Sequence, residues 1–278
     1  MKLIVTGAAG MLGKAMLDAW FDHEVLGLDR GELDITDPVQ IRQTLATIRP
    51  QLLINCVGYT DVDRCETEEA VAERVNSTAV GYLAKTCAEH KITLVHISTD
   101  YVFSGTKEEG YAEDDEPGPS INAYGLTKLH GEELLRRHAA RWYLVRTSWL
   151  YGSGGRNFVD TILNLAKTKS ELTVVNDQHG KPTFTRDLSG FIKQLVLDRA
   201  PYGIYHGVNE LASTWYEFAT EILRQAQLST PIKPIKSEAL PRPAKRPEWS
   251  VLLNTKRPPL RSWQDALRDY LAELGYSG

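Results

Sequence analysis

A tyrosine and a lysine four residues apart are the first candidates for catalysis, because together they could transfer a proton to a substrate. Tyr124 and Lys128 open and close the segment YGLTK. This spacing places both side chains on one face of a helix. Because a nearby ammonium group stabilises a phenolate, we expect Lys128 to lower the pKa of Tyr124. Tyr124 can then give a proton to a carbonyl oxygen while a hydride arrives at the carbon.

A hydroxyl group at the end of a predicted strand is the third candidate for chemistry. Thr99 closes the apolar stretch 92–99, and ligands of parallel sheets bind at the carboxyl ends of the strands. There the hydroxyl can donate a hydrogen bond to a substrate carbonyl. A lone YxxxK is more often a surface helix, and a lone threonine a strand-end cap. Together, Thr99, Tyr124 and Lys128 favour a catalytic triad.

A glycine-rich turn near the start of the chain predicts a phosphate site. Residues 7–13 are GAAGMLG, placed between an apolar strand and a helical stretch. Gly7 permits a tight turn, Gly10 lets the backbone approach a pyrophosphate, and Gly13 lets the helix pack on the sheet. The helix then offers free N–H groups to the phosphates. The alternative is a glycine-rich turn that binds nothing.

Two adjacent residues at the end of the second predicted strand indicate opposite cofactor preferences. The Asp29 carboxylate can accept hydrogen bonds from the adenosine ribose, which favours NADH. Arg30 can pair with a 2′-phosphate, which favours NADPH. The sequence leaves this choice open. Asp34 and Ile35 can line an adenine pocket, although a solvated loop carboxylate explains Asp34 equally well.

Strands alternate with helical stretches through the first half of the chain, which predicts an α/β fold with a Rossmann doubly wound parallel sheet. The predicted strands are 2–7, 24–29, 51–58, 92–99 and 143–149; the predicted helices are 10–21, 37–48, 66–90 and 123–138. Beyond them we predict helices 156–169, 186–199, 214–227 and 263–274, strands 172–176 and 203–208, and no regular period in 229–259.

The same pattern divides the chain into two parts. Residues 1–150 are predicted to form the NAD(P)-binding domain, and segments near 172–215 are expected to return to it. Residues 151–278 are predicted to form mainly a smaller C-terminal α/β lobe that binds substrate. We found no internal repeat in the sequence.

Composition excludes several classes of function. The chain has 278 residues, a net charge of −4 and no basic stripe, so we expect no nucleic-acid partner. No membrane span or export signal is recognisable, and an odd count of three cysteines favours a reducing cytoplasm. The seven histidines show no zinc-binding spacing, and we expect no metal site.

Several longer motifs resemble the extended short-chain dehydrogenase/reductase superfamily and, within it, the dTDP-4-dehydrorhamnose reductases. The resemblance runs nearly end to end. The specific segments are GAAGMLG, ELDITD, NCVGYTDVDRCE, STDYVFSG, YGLTK, RTSWLYG, GKPTFTRDL and RPEWSVL. It implies that NADPH or NADH reduces a dTDP-4-dehydro-sugar.

The resemblance also implies a role for individual residues. The residues expected at the cofactor phosphates are Gly7, Gly10, Met11 and Leu12. The residues expected at the ribose and adenine are Asp29, Arg30, Asp34 and Ile35. The residues expected to line the rest of the cofactor channel are Gly58, Tyr59 and Thr60, with Tyr124 and Lys128. Those expected at the substrate are Thr99, Asp100, Tyr101 and Trp149. Core packing is the ordinary alternative for Trp149.

One departure from the family concerns assembly. Some members dimerise through a magnesium site that begins with an acidic residue in the first helix, where this chain has Lys14 and Ala15. We therefore expect a monomer or a weak homodimer. The diphosphate of the substrate needs basic partners, and the candidates are Lys181, Arg186, Arg242, Lys245 and Arg246.

Two other functions stay open at this point. One is a non-catalytic NAD(P)-binding regulatory subunit on the same fold, against which the intact triad argues. The other is a reductase for a related nucleotide-sugar, since the residues that select the sugar lie in the weakly patterned second half.

Overall fold

Six parallel strands form the central sheet of the protein, whose computed structural model describes residues 1–276. In chain order the strands are β1 Lys2–Thr6, β2 Glu24–Leu28, β3 Leu52–Asn55, β4 Thr93–Thr99, β5 Trp142–Thr147, β6 Leu150–Tyr151, β7 Leu172–Val175, β8 His179–Gly180, β9 Thr183–Phe184, β10 Gly203–His206, β11 Ser213–Thr214 and β12 Ile232–Ile235. The central sheet has the order β10-β5-β4-β3-β1-β2. The predicted doubly wound parallel sheet is confirmed.

Helices cover both faces of this sheet, because its strands present apolar side chains to both sides. The helices are α1 Met11–Ala19, α2 Pro38–Ile48, α3 Val62–Cys65, α4 Glu69–Glu73, α5 Ala79–Glu89, α6 Ala123–His138, α7 Phe158–Thr168, α8 Thr185–Leu197, α9 Trp215–Gln225 and α10 Trp263–Glu273. Within β1, Leu3 and Val5 join the core beneath α1 and α8, whereas Ile4 joins the opposite core with α2 and α5.

Local signals set several helix ends where the sequence predicts them. Pro38 begins α2, and the Asp37 side chain caps it by accepting hydrogen bonds from Val39 N at 2.8 Å and Gln40 N at 3.2 Å. An aspartate cap followed by proline at the first helical position satisfies otherwise unpaired N–H groups.

The predicted helix 66–90 is confirmed as one unbroken helical stretch over residues 69–89, which begins three residues later than predicted. It contains a π-helical turn at Arg74–Thr78, between α4 and α5. The wide turn brings the Asn76 side chain to the backbone of Tyr59, with which it exchanges two hydrogen bonds. A contact distant in sequence therefore overrides the local helical period.

The predicted strand 51–58 is too long at its carboxyl end. β3 stops at Asn55, whose Oδ1 accepts a hydrogen bond from Val57 N at 3.2 Å. This turn, closed by an asparagine side chain, directs the following residues over the end of the sheet.

The second half packs around its own apolar cluster, built by α7, α9 and α10. β7 pairs in parallel with β12, which lies inside the stretch 229–259 where the sequence shows no period. β10 instead joins the central sheet beside β5, and α8 packs on α1. The division of the chain near residue 150 stays a prediction. No helix within residues 1–276 is long and apolar enough to cross a membrane.

Candidate active site

A cleft of about 510 Å3 opens at the carboxyl ends of β1, β3, β4 and β5. In this sheet β1 lies between β2 and β3, so the strand order reverses there. Ligands of open α/β sheets bind at such a reversal. The lining residues that the sequence predicts are Gly10, Met11, Leu12, Gly58, Thr60, Thr99, Asp100, Tyr101, Tyr124, Lys128 and Trp149.

The glycine turn has the shape that a phosphate cradle requires. Gly7 has a φ of +70°, which favours glycine. A Cβ on Gly13 would lie 2.1 Å from the Gly7 carbonyl oxygen, so only glycine lets α1 start this close to the turn. The Asp29 carboxylate accepts the Ala9 N–H on both oxygens at 3.0 Å, which ties the end of β2 to the same turn.

A second cavity of about 240 Å3 extends beyond the turn and suits a flat base. It is lined by Arg30, Leu33, Asp34, Ile35, Thr36, Val57, Tyr59, Val71, Arg74 and Val75. The side chain and backbone of Thr36 donate hydrogen bonds to Asp34, which lower the pKa of that carboxyl. Arg30 reaches outward, 85% exposed, with Nε 3.5 Å from Asp34. The glycine cradle and this apolar slot together fit an adenine dinucleotide.

Asn76 holds the segment after β3 in place. Tyr59 N donates to Asn76 Oδ1 at 2.8 Å, and Asn76 Nδ2 donates back to the Tyr59 carbonyl at 3.1 Å. The Tyr59 hydroxyl donates a hydrogen bond to the Glu68 carboxylate. These contacts fix Gly58 and Thr60 on the wall of the cleft, and sequence reasoning missed Asn76 because its partners are distant in the chain.

Tyr124 and Lys128 occupy the first two turns of α6, which Asn122 caps by accepting the Gly125 N–H at 2.8 Å. Thr99, at the end of β4, lines the same cleft, and its hydroxyl lies close enough to the Tyr124 phenol to affect the pKa of that phenol. The Tyr101 ring meets the Tyr124 ring edge-on, with centroids 5.9 Å apart. The structure therefore brings the three predicted catalytic side chains together.

The groups of this chain alone do not lower the pKa of Tyr124, so its lowering by Lys128 together with the positive nicotinamide ring of a bound cofactor stays a prediction. Burial raises the pKa of Tyr124, and the nearby Thr99 hydroxyl opposes this only in part. Lys128 Nζ instead donates to the Ile97 carbonyl at 2.6 Å, inside the sheet. Burial lowers the pKa of Lys128 to about 8, which Glu132 opposes.

Asp100 is buried directly beside this triad. Thr99 Oγ1 donates to Asp100 Oδ1 at 2.9 Å, which orients the threonine hydroxyl. Burial raises the pKa of Asp100 to about 6, although the nearby Ser250 hydroxyl and the hydrogen bond from Thr99 favour the charged form. Burial also raises the pKa of Tyr101. The groups that face the catalytic phenol are therefore poorly hydrated.

Trp149 both packs and lines the cleft, so neither interpretation excludes the other. Its ring stacks on Trp215 with centroids 3.6 Å apart and an interplanar angle of 10°. Trp215 and Arg156 also line the cleft from the second half of the chain. Sequence reasoning missed both, since a tryptophan at a helix start and a loop arginine carry no signal of their own.

The five candidate basic residues fall into separate places. Arg242 and Arg246 pair with Asp63, whereas Lys245 is exposed. Arg186 pairs with Glu273 beside a different cavity, and Lys181 is buried within 3.5 Å of Glu210. The charges of Arg246 and Arg242 oppose the raised pKa of Tyr101 in part, so these two arginines lie nearer to that side of the cleft than to the glycine turn.

A buried ion pair underlies the triad and was not predicted. Arg146 on β5 donates from Nη2 to Glu132 Oε2 at 2.7 Å, and neither side chain is exposed. Ser98 Oγ donates to Glu132 Oε1 at 2.6 Å. The sequence feature that could have predicted this ion pair is the position of Glu132, four residues beyond Lys128 and therefore on the same face of α6. Within residues 1–276 no group of three or more histidine, cysteine or acidic side chains is placed to hold a metal ion.

Known proteins share this arrangement along nearly the whole chain. The profile of the family described as "RmlD substrate binding domain" matches residues 1–276. The "dTDP-4-dehydrorhamnose reductase" of Streptomyces griseus is 40% identical over 287 residues, covering 98% of this chain and 94% of that protein. A "Probable dTDP-4,6-dihydroxy-2-methyloxan-3-one 4-ketoreductase" of Streptomyces antibioticus is 38% identical over 283 residues, covering 99% and 96%.

A solved structure agrees with these relatives. The "dTDP-4-dehydrorhamnose reductase (rfbD)" of Bacillus anthracis, crystallised in complex with NADP, superimposes with a TM-score of 0.95 at 36% identity, covering 98% of this chain and 100% of that one. Fold, cleft and sequence therefore agree, and this chain belongs to the family of dTDP-4-dehydrorhamnose reductases.

Proposed function

We propose that this chain reduces dTDP-4-dehydro-β-L-rhamnose to dTDP-β-L-rhamnose, with NADPH or NADH as the reductant. The observation that supports this most directly is the single cleft in which the glycine turn and the Thr99, Tyr124 and Lys128 side chains meet. Family membership supports the substrate class, because relatives that match nearly the whole chain are named for dTDP-sugars.

Each residue of the triad has a separate task in this proposal. The bound reduced nicotinamide supplies the hydride that reaches C4 of the sugar. Thr99 donates its single hydroxyl hydrogen to the C4 carbonyl oxygen, and it gives up its hydrogen bond to Asp100 when it does so. Tyr124 donates its phenolic proton to the same oxygen. Burial raises the pKa of the Tyr124 phenol, so the proton is present at neutral pH, and the phenolate must be stabilised in the bound complex before that proton is transferred efficiently.

The binding residues follow from their places on the walls. We assign Gly7, Gly10, Met11 and Leu12 to the cofactor phosphates, and the slot between Arg30 and Tyr59 to the adenine. Asp29, Asp34, Ile35, Gly58 and Thr60 complete this half of the cleft. Asp100, Tyr101 and Trp149, with Trp215 and Arg156 opposite, are assigned to the nucleotide-sugar.

The test is a coupled assay that starts from dTDP-glucose with purified upstream enzymes and follows NADPH and NADH oxidation separately. Tyr124→Phe should lower kcat by roughly 10²- to 10⁴-fold while NADPH binding is retained, because only the transferable proton is lost. Tyr202→Phe is the matched control, since this half-exposed tyrosine lies outside the cleft. Equal turnover in all three proteins would exclude Tyr124 as the acid.

A second candidate is supported by the Streptomyces antibioticus relative, whose name gives a different 4-keto sugar. The same assay with a dTDP-4-keto-2,6-dideoxy sugar, the class that this name describes, separates the two candidates by kcat/KM. A non-catalytic NAD(P)-binding subunit would bind NADPH and turn over neither sugar.

The cellular setting forms part of the proposal. Cys56, Cys65 and Cys87 are all free thiols, which suits a reducing cytoplasm. We place the enzyme there as a monomer or weak homodimer, with a small-molecule substrate and no nucleic-acid partner.

A further inference from the structure

One arginine on the wall of the cleft carries a positive charge that no neighbouring group balances. Arg156 lines the part of the cleft that the second half of the chain contributes, and this residue is exposed. Within residues 1–276, its guanidinium group forms no ion pair and no hydrogen bond. The charge is therefore available to a ligand that enters the cleft.

The loop that carries Arg156 is held in shape by the next residue. Asn157 Nδ2 donates a hydrogen bond to the Gly152 carbonyl at 3.0 Å and lies 3.4 Å from the Gly155 carbonyl. The Asn157 side chain is buried, and its oxygen also caps α7. Because these contacts join the two ends of the loop to the start of α7, the backbone of Arg156 has a defined place.

The same loop lies against the first turn of α1. A Cβ on Gly155 would lie 3.0 Å from Met11 Cβ and 3.6 Å from Met11 N. Lys14 Nζ donates a hydrogen bond to the Gly154 carbonyl at 3.3 Å. These contacts place the backbone just before Arg156 beside the glycine turn, where the cofactor half of the cleft meets the wall from the second half.

Positive charge is scarce on the walls of this cleft. Among the described residues that line it, the basic side chains are Lys128 and Arg156, and the acidic one is Asp100. Lys128 Nζ donates to the Ile97 carbonyl, inside the sheet. A dinucleotide cofactor and a nucleotide-sugar each bring a diphosphate, whose oxygens bind charged N–H donors strongly.

The basic residues expected from the sequence do not meet this need. Four of the five already have an acidic partner: Lys181 with Glu210, Arg186 with Glu273, and Arg242 and Arg246 with Asp63. Within residues 1–276, none of the five is among the residues that line the cleft. Arg156, which the sequence did not single out, is therefore better placed than any of them.

The positions of the two ligands decide which diphosphate Arg156 meets. The N–H groups of the glycine turn and the positive end of the α1 dipole already match the diphosphate of the cofactor. The nucleotide-sugar is assigned to the wall that contains Trp149 and Trp215, and the positively charged side chain of that wall is Arg156. The charge of Arg156 is thus matched to the second ligand.

We propose that Arg156 binds the diphosphate of the nucleotide-sugar through charge-assisted hydrogen bonds from its guanidinium group. This inference rests on the proposed function in taking a dTDP-sugar as the ligand, and it adds the side chain that recognises the diphosphate. A planar guanidinium offers paired N–H donors whose spacing fits phosphate oxygens. Arg156 is therefore a binding residue that takes no part in the proton transfer.

The first measurement is calorimetric titration of the full-length protein with dTDP. Arg156→Gln should raise the Kd of dTDP roughly tenfold to a hundredfold, because it removes charge-assisted hydrogen bonds. Arg156→Lys should recover part of this loss, since it keeps the charge but not the paired donors. Arg137→Gln is the matched control, because this exposed arginine lies in the last turn of α6, and it should leave the Kd unchanged.

Thymidine and NADPH identify the group that Arg156 binds. Thymidine has no phosphate, so Arg156→Gln should leave its Kd unchanged in an NMR chemical-shift titration. The Kd of NADPH, measured by its fluorescence, should also stay unchanged. A loss of affinity for thymidine or for NADPH as large as that for dTDP would overturn the inference, as would an unchanged Kd of dTDP.

Turnover provides a separate readout. In the coupled assay, Arg156→Gln should raise KM for the sugar roughly tenfold and leave kcat nearly unchanged, because it removes binding that is equal in the ground and transition states. The dTDP titration needs no turnover. A wild type that binds dTDP through Arg156 but reduces no sugar would exclude the proposed function alone, and an active enzyme whose dTDP affinity ignores Arg156 would exclude this inference alone.

Discussion

Removing the charge of Glu132 should destabilise the whole protein while preserving the shape of the side chain. Glu132→Gln keeps the volume and one carbonyl acceptor, but leaves the Arg146 guanidinium buried without a counter-ion. Arg146 is fully inaccessible, and its Nη1 has no hydrogen-bond partner in the structure. Besides Glu132, the Phe103 ring compensates part of this charge, with its centroid 4.9 Å from the guanidinium carbon.

The expected magnitude follows from this burial. Removing one partner of a buried ion pair typically lowers the free energy of unfolding by about 3–5 kcal/mol, because it leaves an uncompensated charge in a poorly polarisable interior. The Glu221–Arg224 pair on α9 provides a matched comparison, since its arginine is 67% exposed although the two groups lie 2.6 Å apart. Glu221→Gln should cost less than about 1 kcal/mol.

Urea denaturation followed by far-UV circular dichroism measures both free energies of unfolding under the same conditions. We expect Glu132→Gln to lower the transition midpoint strongly and Glu221→Gln to leave it nearly unchanged. A double variant, Glu132→Leu with Arg146→Met, should recover much of the loss, since apolar replacements of buried pairs are often neutral. Equal small effects of the two single variants would refute the reasoning from burial.

Three further predictions concern the cleft. Gly13→Ala should abolish NADPH binding in a fluorescence titration or prevent folding, because its Cβ would lie 2.1 Å from the Gly7 carbonyl oxygen. Arg30→Ala should weaken NADPH binding roughly tenfold to a hundredfold and leave the Kd of NADH nearly unchanged, since it removes one charge-assisted contact to a 2′-phosphate. Burial raises the pKa of Asp100 to about 6 in the folded protein. The folded state therefore gains stability from the protonated carboxyl below about pH 4, and it loses that gain as the pH rises through 6. Asp100→Asn should therefore be up to about 3 kcal/mol more stable than the wild type at pH 7.5 and no more stable at pH 4, as measured by urea denaturation.

Elements with complete local signals could be predicted from the sequence. The bounds of α6 match the predicted 123–138, and Asp37 with Pro38 marks the start of α2. The glycine turn could also be located, because the spacing of its glycines is typical of a turn between a strand and a helix. The triad region could be located because the spacing of Tyr124 and Lys128 predicts that they share one helix face.

What escaped prediction depends on partners that are distant in the chain. The π-helical turn exists for the contact of Asn76 with Tyr59, and β12 forms, despite Pro234, because β7 lies beside it. The spacing of Tyr124 and Lys128 shows that they share a helix face, but not that Lys128 donates a hydrogen bond to the Ile97 carbonyl.

The helix α6 carries its functional side chains at increasing depth. Tyr124 is partly accessible in the cleft, Lys128 one turn later is 4% exposed, and Glu132 one turn further is not exposed at all. The deepest member is held by two strands, through Ser98 on β4 and Arg146 on β5. Because a buried ion pair cannot shift without losing its partner, it fixes the rotation of α6 about its axis. That rotation decides whether the phenol points into the cleft, so the stability of the Glu132 pair and the reactivity of Tyr124 are linked by the geometry of one helix.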